Sequence, residues 1–406
     1  MHPIISALKH HKTTVVLVVL EIALTCAIVC NALFLIGDRL SAMQLSTGVE
    51  DNALISVSIS GLRDDATPAS ETALAQTDMA VLRGMPGVKS AFMVNSMPLL
   101  SASMWRSGIS IQPGLSKPSL GGISMYVGTQ GVVAGLGIAL AQGRDFLPQE
   151  YVDYSPFSNK PAPPAVIVTR ALADRLWPGQ SALGQPIFMG DKGKYVTHVV
   201  GVAAHLLNPN LGSQADSEYN VLLPVQSISS GIFVLRTTPA ARDITLRDIP
   251  AVLGRVDKER IVTSKSYAQS ISDYFHDYRA LIWLLVVVIS CLLALTALGV
   301  VGLSSFWVQQ RTHQIGIRRA IGATRRDILR YFQIENFLIV TGGVVLGLLL
   351  AVVLNLLLMK HYELPRLPLF YLPIGALVLW GLGQLAVLGP ALRAAAVPPV
   401  VATRSA

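Results

Sequence analysis

The residues with the strongest chemical character are six arginines at 311, 318, 319, 325, 326 and 330. They face only Asp327 and Glu335 within the stretch 309–337, QQRTHQIGIRRAIGATRRDILRYFQIENF. Positive charge at this density suits docking or membrane orientation, not bond making. Apolar residues recur through it at helical spacing, with Ile315, Ala320 and Ile321 in the first half and Ile328, Leu329 and Phe332 in the second. Gly322 can end one helix. Thr324, with Asp327 three residues on, can cap the next as a capping box. The stretch reads as a short basic amphipathic helix, a break, and a helix entering a membrane. One reading is a positively charged loop that orients two spans. The other is a shaped element that docks a partner, and the periodicity and capping favour it.

Other chemistry finds no residues to rest on. The phosphate-cradling pattern G-x-x-x-x-G-K-[ST] does not occur. The nearest string, from Gly190 through Gly193 and Lys194 to Tyr195, lacks both the spacing and the hydroxyl for magnesium. His198 and His205 lie seven apart with no cysteine or carboxylate at ligand spacing. There is no G-x-S-x-G and no cysteine nucleophile in the polar region. Basic residues are not interleaved with aromatics as in a nucleic-acid surface. The chain reads as no enzyme, with no catalytic, cofactor or metal residues and no nucleic-acid partner.

The elements that must position the arginine stretch are membrane spans. Of 406 residues, 52% are hydrophobic and 14% charged, and the net charge is +8. Between residues 38 and 277 there are 19 basic and 20 acidic residues. The positive surplus therefore lies at Lys9 and Lys12, in the arginine stretch, and at Arg393 and Arg404. By the positive-inside rule both termini and the loop are cytoplasmic. Cys26, Cys30 and Cys291 all fall in apolar runs and read as buried small residues, so no disulfide framework is expected in the polar region.

The first apolar run, 13–36, would be about 36 Å of helix, too long for a cleaved leader and enough to cross a bilayer. Glu21 lies inside it; an acid in a span is a candidate functional residue by default, and its near-end position also allows a helix-interface role at the bilayer edge. Glu335, at the mouth of a later span, is a second candidate intramembrane acid. The expected layout is a cytoplasmic N-terminus (1–12), a first span (13–37), a large polar domain (38–279), a second span (280–308), the loop (309–336), a third span (337–359), a short outer loop (360–368), a fourth span (369–389) and a cytoplasmic tail (390–406). Gly342, Gly343 and Gly347 give the third span a surface for close helix approach. Residues 266–278 run helically into the second span and, with 37–46, read either as a paired helical stalk or as a passive linker. In the polar domain, 53–60, 87–100, 231–237 and 260–264 read as strands, with helices over 69–85 and 244–256. These two strand–helix–strand units suggest one α+β subdomain, about 48–104 and 226–265, closed around an insertion at about 105–225. Within the insertion 166–177 reads as a helix start and 195–204 as a strand.

The wording of 311–340 resembles the FtsX/MacB-type permease signature, roughly R-x-x-E-I-G-I-R-x-A-[LI]-G-A-x-x-x-x-I with an acid at the next span. Arg311, Ile315, Gly316, Ile317, Arg318, Ala320, Gly322, Ala323, Ile328 and Glu335 match, and Gln314 stands where the family has glutamate. The strings GLGIALAQGRDF, PAVIVTRALADRLWPGQSALGQPIFMG and VVGVAAH resemble the MacB-like periplasmic core domain, with its membrane-near "Porter" and inserted "Sabre" parts. The tail 390–404 resembles the family's terminal pattern at Pro390, Arg393, Ala394, Ala395, Pro399, Ala402 and Arg404.

The resemblance implies an α+β membrane protein of the inner membrane, with four transmembrane helices and a large α+β periplasmic domain between the first and second. It implies a coupling helix that docks on an ABC ATPase subunit through Arg311, Ile315, Gly316, Ile317, Arg318, Arg319, Gly322 and Ala323. ATP and Mg would be bound by that partner. The implied function is the permease subunit of a MacB-type ABC transporter, exporting substrate by mechanotransmission. Its partners would be the ATPase, a second copy or related permease, membrane lipid, and a periplasmic adaptor with an outer-membrane channel. An FtsX-like scaffold that activates a cell-wall hydrolase is the alternative. A membrane-anchored sensor is a third reading, and it would need an output domain.

Overall fold

The structure is a computed structural model, and it describes residues 12–61, 67–100, 105–114, 119–155, 160–190, 193–211, 217–228, 231–362 and 366–396. Lys9 and the matched tail positions Pro399, Ala402 and Arg404 lie outside the described residues. The chain divides into a membrane unit, made of residues up to 43 and from 277, and an ectodomain of residues 44–276.

Among the described residues of the membrane unit, four helices are long and apolar enough to cross a bilayer. The first, α1, spans Lys12–Met43. The ectodomain follows in chain order: β1 (Leu54–Ser60), α2 (Pro68–Arg83), β2 (Val88–Val94), β3 (Arg106–Ile109), β4 (Leu120–Gly128), α3 (Val132–Leu136), β5 (Leu140–Gly143), β6 (Ala165–Thr169), α4 (Arg170–Leu176), β7 (Pro186–Met189), β8 (Tyr195–Ala203), β9 (Asn220–Pro224), β10 (Ile232–Thr237), α5 (Pro239–Leu253), β11 (Ile261–Ser266) and α6 (Tyr267–Tyr274). The chain then forms α7 (His276–Gln310), α8 (Thr312–Ala320), α9 (Arg325–Tyr362) and α10 (Tyr371–Ala396).

In the membrane unit, glycines let backbones approach. A Cβ at Gly343 would lie 2.6 Å from Ile22 Cγ2, and one at Gly347 would lie 2.7 Å from the Ala23 carbonyl oxygen. Both sit on α9 against α1, where only a hydrogen side chain fits. Polar residues finish the job. Asn31 Nδ2 donates to the Ala351 carbonyl at 3.0 Å, and Asn336 Nδ2 to that of Gly383 at 2.8 Å. Cys26 and Cys30 are buried here, whereas Cys291 is exposed on α7, contrary to the reading of all three as buried. The fourth helix also runs further than the apolar count suggests. Pro390 sits inside α10, and the Ala-rich turn 391–396 continues it.

The ectodomain is built on two β-α-β units. Strands β11, β1, β10 and β2 lie side by side in that order, all antiparallel, which is the ferredoxin-like arrangement 4-1-3-2. The segment between β2 and β10 does not form a separate layer. It extends the same sheet through β4-β9-β6-β8-β5, with β3 on β4 and β7 on β8. One expectation is corrected here: residues 166–169 are strand, and only Arg170–Leu176 is helix. Val166, Ile167, Val168 and Thr169 are β-branched and buried between β8 and β9, and this tertiary pairing overrides the helical reading. Arg144 in the GRDF string serves structure. Its guanidinium holds both oxygens of Glu150 at 2.8 and 2.6 Å, which keeps that carboxyl below its ordinary range.

The two halves of the sheet meet at one register pair, Val94 with Gly128. Asn95, 1% exposed, reinforces the seam. Its Nδ2 donates to the Met125 carbonyl and its Oδ1 accepts from the Val127 amide, both at 2.9 Å. Thr129 Oγ1 accepts from the Met93 amide at 2.9 Å on the other side. Replacing Asn95 with alanine strands buried backbone groups on β4. Asn95→Ala is therefore expected to cost about 2–3 kcal/mol and to lower the ectodomain's melting temperature in the full chain by roughly 5–10 °C. Circular dichroism melts against the surface control Ser58→Ala check this. Equal melting points would mean that the seam is held without Asn95.

Candidate functional site

The arginine stretch becomes a rigid corner between α7 and α9. Helix α8 ends at Gly322, whose φ of 110° suits glycine best. The Gly322 amide donates to the Arg319 carbonyl at 3.2 Å and the Ala323 amide to that of Arg318 at 3.0 Å. These two bonds are the Schellman pattern. The next helix starts immediately with a reciprocal cap. The Asp327 amide donates to Thr324 Oγ1 at 3.3 Å, and the Thr324 amide donates to Asp327 Oδ2 at 3.0 Å. A stop and a start thus sit back to back over three residues, which leaves the corner little freedom.

Two further contacts seat α8. Its inner face carries Ile315 and Gly316, both buried. Ile315 packs with Ile328 and Phe332 of α9 and with Ala391, Ala394 and Ala395 at the end of α10. At its root, Arg311 Nη1 donates to both oxygens of Glu335, at 3.1 and 3.0 Å. Glu335 is 1% exposed, and the Arg311 guanidinium carbon also lies 5.5 Å from the Trp307 ring centroid. The ion pair joins the start of α8 to α9 across 24 residues of sequence.

The outer face carries the exposed residues. Ile317 is 40% exposed and Ile321 81%. Arg318 lies with its guanidinium carbon 5.2 Å from the Tyr331 ring centroid. Arg325, Arg326 and Arg330 are exposed on the first turns of α9, with Asp327 among them. A groove of about 390 Å³ opens beside them, lined by Arg318, Ile321, Ala323, Asp327, Ile328 and Tyr331.

The expected docking residues divide accordingly. Ile317, Arg318 and Gly322 face outward, and Arg319 and Ala323 are half-buried. Ile315 and Gly316 point inward, so they position the helix and do not present it. The sequence reading grouped Ile321 with Ile315 on one apolar face, and that is corrected. Six residues turn an α-helix by about 240°, so the two isoleucines lie on opposite sides. Tyr331 and Trp307 were missed, because nothing local marks an aromatic ring as the floor for an arginine many residues away. Ile317 with Ile321, four apart and off the buried stripe, was a signal available in the sequence.

Residues 286–399 match the family described as FtsX-like permease C-terminal. Among curated proteins, the macrolide export ATP-binding/permease protein MacB of Escherichia coli is 29% identical over 189 residues, 43% of this chain and 27% of that protein. The pyoverdine export ATP-binding/permease protein PvdT of Pseudomonas putida is 29% identical over 201 residues, 47% of this chain and 30% of that protein. The chain thus matches about a third or less of these relatives' length. The crystal structure of the periplasmic region of MacB from Actinobacillus actinomycetemcomitans aligns with 57% of this chain and 96% of its own at 11% identity, with a TM-score of 0.35. The chain thus carries an FtsX-like permease C-terminal domain, with the seated α8 inside it, and on the sequence side it is similar to permeases of MacB type.

Proposed function

We propose that this chain is the transmembrane subunit of a MacB-type ABC transporter, in which a separate ATPase subunit binds ATP and Mg and docks on α8. The observation that carries the reading is the outer face of α8. Two exposed isoleucines, Ile317 and Ile321, stand in the same short stretch as the exposed Arg318, Arg325 and Arg326, on a corner fixed by a Schellman stop and a reciprocal cap. An apolar anchor with a basic rim fits a partner pocket with an acidic rim. In this reading the corner, both termini and the ATPase lie in the cytoplasm, and the ectodomain lies outside the inner membrane. ATP-driven closure of two ATPases would move two permease chains, either two copies of this one or this one and a relative. The movement of α7 and α1 would reach the ectodomain and act on a substrate there. The relatives' names, macrolide export and pyoverdine export, point to small-molecule export as the substrate class to test first. A periplasmic adaptor and an outer-membrane channel would complete the path.

Ile321→Asp and Arg318→Glu alter exposed side chains and should leave the fold intact. Purified from its host in mild detergent, the parent chain is expected to bring down an ATPase in equal amount, and each variant to reduce it at least about tenfold. Undiminished recovery with both variants would remove α8 as the docking element.

The ion pair makes a separate prediction. Arg311→Ala leaves Glu335 buried and unpaired, a loss of about 3–5 kcal/mol, so tryptic cleavage within 312–330 should accelerate at least about tenfold. Replacing both by leucine should restore much of the protection. Unchanged cleavage in Arg311→Ala would show that the apolar seat alone holds α8.

A further inference from the structure

Polar side chains of α1 meet α7 along one line. The Glu21 carboxyl occupies a notch at Gly299, where a Cβ would lie 2.9 Å from Oε2 and 3.3 Å from Oε1. One turn further, the Thr25 and Thr296 hydroxyls share a buried hydrogen bond at 3.0 Å. Toward the other end the Arg39 guanidinium carbon sits 4.6 Å from the Tyr278 ring centroid. The pairs 21 with 299, 25 with 296 and 39 with 278 follow a single antiparallel line along about 27 Å of α1.

Apolar packing gives α7 little axial preference. Trp283, Leu284, Val287, Leu295 and Leu298 are exposed, pointing away from the bundle. Lipid tails are as apolar as leucine, so such a surface slides at low cost. The polar line is different. A slip of one turn, about 5.4 Å, would bring Glu21 to Leu295 or Leu303 and Thr25 to Leu292 or Val300. In the observed register Glu21 Oε1 has no hydrogen-bond partner and Gly299 leaves it room; either slip would put a leucine side chain in that space and a threonine hydroxyl against hydrocarbon, which is costly inside a membrane. Only one register gives the acid its notch and the hydroxyls each other.

We propose that Glu21 is a positioning residue that, seated at Gly299, fixes the axial register of α7 against α1. The two helices that border the ectodomain in the chain then travel together, and α8 at the end of α7 travels with them. This last consequence rests on the transporter reading above; the register does not.

The test uses the full chain in membranes with Cys26, Cys30 and Cys291 replaced by alanine. Thr25→Cys/Thr296→Cys is oxidised beside the slipped pairs Thr25→Cys/Leu292→Cys and Thr25→Cys/Val300→Cys. The in-register pair should form its disulfide at least about tenfold faster; Glu21→Ala should narrow the ratio to about twofold, and Glu21→Gln, which keeps the shape and polarity, should hold it. Equal rates with Glu21 present, or a ratio unmoved by Glu21→Ala, overturn the proposal. With the ATPase bound, the locked 25–296 chain should retain ATP turnover. Loss of turnover with the ATPase still bound would show that the helices slide. If no ATPase binds in any form, the transporter reading falls, and the disulfide rates still decide the register.

Discussion

Arg311 and Glu335 are charges held at the edge of an apolar bundle, and the geometry of the corner between α7 and α9 depends on their meeting. A carboxylate with almost no exposure must find a counter-charge, and Arg311 supplies it with two hydrogen bonds. The arginine sits between α7 and α8, so satisfying Glu335 also fixes where α8 leaves the membrane. The apolar seat of Ile315 on Ile328, Phe332 and the alanines of α10 then has one orientation to adopt. With the inner face committed, Ile317 and Ile321 have only the outside left to them.

The same logic runs through the rest of the membrane unit. Its interior is assembled from glycine notches and single polar side chains, each matched to a group on another helix: Asn31 to the Ala351 carbonyl, Asn336 to the Gly383 carbonyl, and the Thr25 hydroxyl to that of Thr296. In a medium where apolar contact discriminates poorly between registers, these few matches carry the specificity. The ectodomain works the other way. Its strands are specified by an apolar core on both faces of the sheet, and Asn95 adds a polar tie where the two halves of that sheet share a single register pair.

What could be read from sequence follows the range of the interactions. The spans were legible because lipid imposes length and composition on each helix separately. The glycine stop at 322 and the cap of Thr324 with Asp327 were legible because their partners lie within a few residues. The ferredoxin-like strand order was not, since β1 pairs with β10 and β11 across about 180 residues or more. Residues 166–169 were misread because their helical look ended where burial between two strands began. Glu21 was visible as an anomaly, but its place at Gly299 depends on a neighbour that no local pattern announces.

The thin seam between β2 and β4 has an evolutionary reading. Strands β2 and β10 are direct neighbours and antiparallel, so a short turn could join them without disturbing any other pairing of the ferredoxin-like half. Everything between them behaves as a cassette attached at a hairpin. Its outer surface can diverge toward new molecules while the half that begins and ends beside the membrane helices in the chain keeps its architecture. A lineage built this way can reshape the cassette while the strands next to the membrane helices in sequence stay as they are.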